Sequence, residues 1–161
     1  MQIERLNSDA WERLKDLRTR SLTDAPDAFG TTLAEVAQLI ETDWRQQLES
    51  LATFVAVHES IDLGIARGVT DHDKTDQALL VSMWVAPEAR GRRAGERLIQ
   101  TVAGWARETG HTRLVLDVAD ANLPAIALYE RMGFSRTGET GALPPPREHI
   151  LEHRRALDLG R

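Results

Sequence analysis

Two short stretches hold residue types whose order suits chemistry. The first is Met83-Trp84-Val85-Ala86-Pro87-Glu88-Ala89-Arg90-Gly91-Arg92-Arg93-Ala94-Gly95-Glu96-Arg97-Leu98, an apolar strand pattern that runs into an Arg/Gly turn and then directly into a helical pattern. The first N–H groups of a helix have no intrahelical acceptor and lie at the positive end of its dipole. A turn that aims them at one point therefore suits an anion, and a phosphate above all. Gly91 and Gly95 allow close backbone approach and positive φ. The N–H groups of roughly residues 92 to 96 are left to donate, and Arg90, Arg92 and Arg93 add charge around them. The stretch is neither the Gly-x-Gly-x-x-Gly dinucleotide pattern nor a P-loop, since it lacks Gly-Lys-Ser/Thr.

The second stretch is Asn122-Leu123-Pro124-Ala125-Ile126-Ala127-Leu128-Tyr129-Glu130-Arg131-Met132-Gly133-Phe134. Asn122 and Tyr129 stand two helical turns apart and so share a helix face. Asn122 reads as a helix N-cap with amide donors to spare for a ligand. Tyr129 reads either as a core aromatic with its hydroxyl at the surface or as a proton donor.

These stretches need a scaffold, and hydropathy patterning supplies one. Residues 3–6 read as a short strand. Asn7 or Ser8 caps a helix whose apolar positions are Ala10, Trp11, Leu14, Leu17 and Leu22. A turn-rich loop, Asp24 to Gly30, leads to a second helical region that starts at Thr31 or Thr32 and ends or bends before Trp44 and Leu48. Strands follow at 52–58 and 61–69, joined by a hairpin turn, and at 78–85, whose nearly unbroken apolar run fits a strand covered on both faces. Residues 94–109 form a helix with an apolar stripe of Leu98, Ile99, Val102, Trp105 and Ala106, ended by Gly110. A buried strand at 112–118 completes a βαβ unit, so these two strands should be parallel. Pro124 fits the first turn of the next helix, which Gly133 ends. Residues 134–137 and part of 151–159 close the sheet.

Composition narrows the function. The chain has 161 residues, enough for one domain, with 42% apolar and 28% charged residues. The formal net charge of −5 disfavours general nucleic-acid binding, which needs a broad basic face. With no cysteine, disulfides, thiolate metal sites and a Cys-acyl intermediate are excluded. No apolar run approaches the roughly 18 residues of a membrane helix, and the start, Met1-Gln2-Ile3-Glu4-Arg5, has no signal-peptide core, so a cytoplasmic location is expected. His149 and His153 flank Glu152 without a third ligand, and no metal is expected.

Together these residues resemble the GCN5-related N-acetyltransferase superfamily. Its acetyl-CoA motif, Arg/Gln-x-x-Gly-x-Gly/Ala, is matched by residues 90–95 except at Arg93, where the first motif glycine is usual. Its second pattern is complete at Asn122, Ala125, Leu128, Tyr129, Gly133 and Phe134. The resemblance implies a single α/β domain spanning 1–161. It implies a mixed, mostly antiparallel sheet of six or seven strands, a central parallel βαβ unit and about four helices. It implies acetyl-CoA as cosubstrate and a primary amine of a small molecule or protein as acceptor. The cofactor would meet the strand end Met83, Trp84 and Val85, the turn Arg90, Gly91, Arg92, Arg93, Ala94, Gly95 and Glu96, and Asn122, Ala125 and Tyr129. Tyr129 would serve as general acid to the leaving thiolate. Asp24, Asp27, Phe29 and Trp84 would line the acceptor side with the 141–146 loop, and the family's habit of pairing through sheet edges makes a homodimer an expectation.

An amine of ordinary pKa, about 10.4, is charged at pH 7, and holding it neutral costs about 4–5 kcal/mol. A base is therefore needed. No Glu stands at the 82–84 strand end, and Asp117 is the first candidate, with Glu152 and His149 behind it. For Asp117 a hydrogen-bonded strand-end role is the alternative. Two other functions fit the same residues: a non-catalytic CoA-binding sensor or interaction module, and an α/β protein that uses the Arg/Gly turn for another nucleotide.

Overall fold

The computed structural model describes residues 1–160. The chain opens with β1 (Gln2–Leu6), a 3-10 turn (Ser8–Ala10) and α1 (Trp11–Asp24). A second 3-10 turn (Pro26–Ala28) leads to α2 (Leu33–Val36) and α3 (Glu41–Ser50). Then come β2 (Ala52–His58), β3 (Ile61–Thr70), β4 (Gln77–Val85), α4 (Ala94–Glu108), β5 (Arg113–Ala119), α5 (Leu123–Arg131), β6 (Ser135–Ala142) and β7 (Leu151–Asp158). Five helices are described where about four were expected, because the second helical region is split by two separate caps. Thr32 Oγ1 accepts from Glu35 N–H (3.2 Å) and starts α2; Asp43 Oδ2 accepts from Ile40 N–H (2.9 Å) and restarts the chain as α3. The β2–β3 hairpin turns through Glu59 (φ 50°) and Ser60 (φ 64°), the left-handed pair that matches strand twist in a two-residue loop.

The seven strands form one sheet in the order β1-β2-β3-β4-β5-β7-β6, antiparallel throughout except for the parallel β4–β5 pair. One face packs under α4, whose Leu98, Ile99, Val102 and Ala106 meet Ala66, Leu80, Leu114 and Leu116. The α4 helix sits close to β3 because Gly68 has no side chain: a Cβ there would lie 2.5 Å from the Trp105 ring. The other face is covered by α1 and α3, with Leu14, Leu17, Leu22, Trp44 and Leu48 against Val55, Ile65 and Trp84.

The parallel pair does not stay together. β4 and β5 share register only at residues 77–79 with 113–115. From there β4 follows β3 and β5 follows β7. The break coincides with a bulge: Ile65 is opposite Trp84 and Arg67 opposite Val81, so β4 carries one extra residue there. Ser82, in that bulge, takes φ 59°, which is unusual for a residue with a side chain. Bulges bend the strand that holds them. The C-terminal ends of β4 and β5 thus separate into a wedge, at the carboxyl ends of parallel strands where α/β folds bind ligands.

Candidate functional site

The mouth of the wedge is the N-terminus of α4. Arg97 is the first residue whose N–H reaches back, to Arg93 O at 3.1 Å. The N–H groups of Ala94, Gly95 and Glu96 precede it, and no side chain caps this helix end. These orphan donors and the helix dipole fit a phosphate group. Gly91 (φ 81°) and Arg93 (φ 64°, ψ 14°) both hold left-handed backbone. Arg93 therefore reproduces the conformation that a glycine would supply, and its side chain is exposed. Gly95 is buried against Leu128 of α5 and Met83 of β4, where a Cβ would approach to 3.0 and 3.3 Å. The absent side chain lets α4, α5 and β4 meet at the wedge.

The other residues singled out by sequence lie around this point. Met83 and Val85 pack against the α4 face of the core. The Val85 carbonyl accepts from Arg90 Nε (3.2 Å). Arg92 is exposed, and Glu96 lies 3.7 Å from Arg131. Asn122 caps α5, its Oδ1 accepting from Ala125 N–H at 3.4 Å. Tyr129 is buried beside Phe134, ring centroids 5.8 Å apart. Burial alone pushes its phenol well above the usual tyrosine range, so it stays protonated at neutral pH and keeps a proton to donate.

On the α1 face, Asp24 is committed to two partners. Its Oδ2 accepts from Trp84 Nε1 (2.9 Å) and from Arg90 Nη2 (2.6 Å). The Trp84 bond first, and Arg90 second, hold this carboxylate below its ordinary range. Asp27 is exposed, 3.8 Å from Arg147 Nη1. Arg147 also donates to Pro26 O (2.7 Å) and Gly30 O (2.9 Å), which ties the loop after β6 to the loop carrying Phe29. Glu35, another carboxylate of this region, accepts from Thr32 Oγ1 (3.2 Å) within the α2 cap.

Farther along the same face is a polar cleft of about 250 Å³, lined by Asp117, Glu139, Thr140, Gly141, Ala142, Glu152 and Arg154. Asp117 accepts a two-pronged bond from Arg154, 3.0 Å from Nε and 3.1 Å from Nη2. Glu152 is half-buried, and desolvation, reinforced by the Asp117 charge, raises its pKa above that of a free glutamate. His149 is exposed. His153 is buried and bonded to Asp120 (2.6 Å) and Arg155 (2.9 Å), a structural network.

Comparison with known proteins places this geometry. A family model described as the acetyltransferase (GNAT) family matches residues 11–134. Streptothricin acetyltransferase of Streptomyces lavendulae is 38% identical over 91 residues, covering 56% of this chain and 48% of that protein. Human N-acetyltransferase 8B is 28% identical over 133 residues, 81% of this chain and 52% of that one. The chain spans about half the length of the curated relatives it matches. Among solved structures, a Streptococcus pneumoniae acetyltransferase of the GNAT family superposes with a TM-score of 0.84 at 18% identity, covering 99% of both chains. A Salmonella typhimurium protein solved with its cofactor acetyl-CoA gives 0.82 at 14% identity, over 100% of this chain and 95% of that one. The chain belongs to the GNAT acetyltransferase family.

Proposed function

We propose that this chain moves an acetyl group from acetyl-CoA directly to a primary amine. One observation carries the reading: an uncapped α4 N-terminus, with left-handed backbone at Gly91 and Arg93, stands at the mouth of a wedge between parallel strands. The N–H groups of residues 94–96, with Arg92 and Arg93, would hold the diphosphate, and the unpaired edge of β4 at residues 83–85 would take the pantetheine arm as a sheet takes an added strand. Acetyl-CoA supplies the acetyl group as an activated thioester. Direct transfer is the economical route in a chain without cysteine.

Each protein group then has a bounded task. A thiol of the cysteine type has a pKa near 8.5, and a leaving alkyl thiolate is a weaker base than the phenolate of the raised Tyr129. The phenol therefore steadies the thiolate by hydrogen bonding, and proton transfer completes only as the amine's proton is released. Of the two base candidates in the acceptor-side cleft, Asp117 and Glu152, Glu152 suits the role better. Asp117 is engaged by Arg154, whereas the raised Glu152 sits closer to neutral pH and would take the amine's proton through a bridging water.

The test is thiol release from acetyl-CoA by purified chain with an amine panel, together with CoA binding by calorimetry. Tyr129→Phe is expected to lower kcat about 100-fold while CoA affinity changes less than about two-fold. Tight CoA binding with no transfer to any amine would replace this reading with the non-catalytic module.

A further inference from the structure

Between β7 and α5 runs a line of polar side chains that the acetyl-transfer reading leaves without a task. Strand alternation divides β7. Glu152 and Arg154 line the cleft on the α1 face, so His153 and Arg155 point to the other face, where Leu157 joins the core that holds Tyr129 and Phe134. His153 is 3% exposed and Arg155 6%. His153 Nδ1 lies 2.6 Å from Oδ1 of Asp120, in the turn that leads to Asn122. Arg155 donates through Nε to His153 Nε2 (2.9 Å) and through Nη2 to Oε1 of Glu130 (3.2 Å), the residue after Tyr129.

The donors fix where the protons are. A guanidinium has no acceptor, so His153 Nε2 must accept from Arg155 and carries no proton. The ring is therefore the neutral Nδ1–H tautomer, and it donates to Asp120. With that assignment every link has a donor and an acceptor, and the buried Arg155 charge is matched by Glu130. The two ends of the line say what it serves. α5 has little apolar grip on the sheet: Tyr129 alone among its described residues is buried, with Ala125, Ile126 and Leu128 half-buried. Asp120 precedes α5 and Glu130 lies in its last turn, so β7 grips the helix at both ends. Asn122 and Tyr129 lie between those two grips.

We propose that Asp120, His153, Arg155 and Glu130 form a positioning strut that holds α5 on β7 and so sets the place of Tyr129 for catalysis. This rests on the acetyl-transfer reading with Tyr129 as proton donor. The four residues act through the helix and do not touch the reacting atoms. β7 then serves both halves of the reaction: Glu152 on one face for the amine's proton, His153 and Arg155 on the other for the helix that carries the acid. A misplacement of about 1 Å caused far from the chemistry can cost about 100-fold in rate. Loosening α5 should therefore slow turnover, while the diphosphate turn, on α4, still binds CoA.

Arg155→Met is expected to lower kcat about 10- to 100-fold and to change the CoA Kd less than about three-fold. Glu130→Gln, at an exposed side chain that keeps a neutral acceptor, should lose about two- to five-fold. His153→Gln, whose amide oxygen can still accept from Arg155, should retain more kcat than His153→Leu. Each variant is then combined with Tyr129→Phe. A strut that acts through the phenol has nothing left to position there, so the further fall in kcat should stay below about two-fold. An equal fall with and without the phenol, or no fall in the parent, overturns the strut and leaves acetyl transfer standing. If Arg155→Met does not fold, Glu130→Gln carries the same comparison. If Tyr129→Phe costs nothing, or no amine is acetylated, it is the acetyl-transfer reading that fails, and the strut is read without turnover. Tyr129 is the single tyrosine of the chain, so phenolate absorbance reports it alone. In the parent its burial withholds ionisation at about pH 10–11, where a free tyrosine ionises. The strut variants should ionise there while circular dichroism at the same pH still shows the folded chain. A titration that matches the parent ends the proposal.

Discussion

Arg93 offers a clean separation of backbone strain from charge. Its φ of 64° costs a residue with a Cβ about 1–2 kcal/mol. Glycine removes that strain but adds about 0.5–1 kcal/mol of chain entropy to lose on folding. Arg93→Gly should therefore be more stable than Arg93→Ala, which keeps the strain, by about 0.5–1 kcal/mol. For a domain of this size that is about 1–4 °C in Tm. Both variants lose the guanidinium equally. Arg93 is exposed, so its attraction to a diphosphate is worth about 0.5–1 kcal/mol, a two- to five-fold rise in the CoA Kd that shrinks as salt screens it. Melting curves and calorimetry at low and high salt read the two effects apart. Alanine melting at or above glycine would refute the left-handed turn. Complete loss of CoA binding in the glycine variant would show that the side chain, and not the row of N–H groups, holds the diphosphate.

Glu152→Gln should abolish the acid limb of the pH–rate profile and lower kcat about 100-fold at neutral pH, whereas Asp117→Asn should leave the limb in place; the reverse would move the base to Asp117. Stability gives an independent reading of Glu152. Its carboxyl is raised in the folded state, so the stability it contributes is complete below the ordinary glutamate range and is lost as pH rises through the raised value. Glu152→Gln should accordingly melt higher than the parent at about pH 8 and match it near pH 4; equal melting at both would show the carboxyl to be unperturbed. Gly68→Ala would press a Cβ to 2.5 Å from the Trp105 ring and 3.2 Å from Val102. The expected cost is about 1–3 kcal/mol by denaturant melting, and an unchanged midpoint would mean that α4 shifts freely over β3.

Sequence periodicity reached the sheet, the βαβ unit and the α4 turn because each is governed by local rules: alternation, an apolar stripe and glycine at a helix boundary. It placed the start of the second helical region at Thr31 or Thr32 and an end or bend before Trp44, but did not resolve α2 and α3 as separate helices, because the second cap, at Asp43, leaves no change in apolar spacing. The separation of β4 from β5 was invisible for a different reason. The apolar run through Ser82 continues without interruption, and only the pairing with β3 shows that one residue is extra. The role of Arg93 was ambiguous because a backbone angle cannot be read from a side chain with no special propensity for it.

Arg18 and Arg67 show how a buried charge can hide in a pattern that was otherwise read correctly. The buried stripe of α1 runs Leu14, Leu17, Arg18, Ser21, Leu22, the spacing of a core-facing helix with a cation in its middle. Leu63, Ile65 and Arg67 repeat this on β3, two apolar residues and then a cation on one buried face. A charge on an exposed face needs no explanation. A charge at a position whose neighbours demand burial conflicts with local packing, and such conflicts gather at functional sites. The two positions meet the conflict differently: Arg67 donates to the neutral acceptors Ser82 Oγ (2.8 Å) and Gln47 Oε1 (2.7 Å), whereas the Arg18 guanidinium lies 5.1 Å over the Phe29 ring and leaves its buried Nη1 without a partner among the described residues.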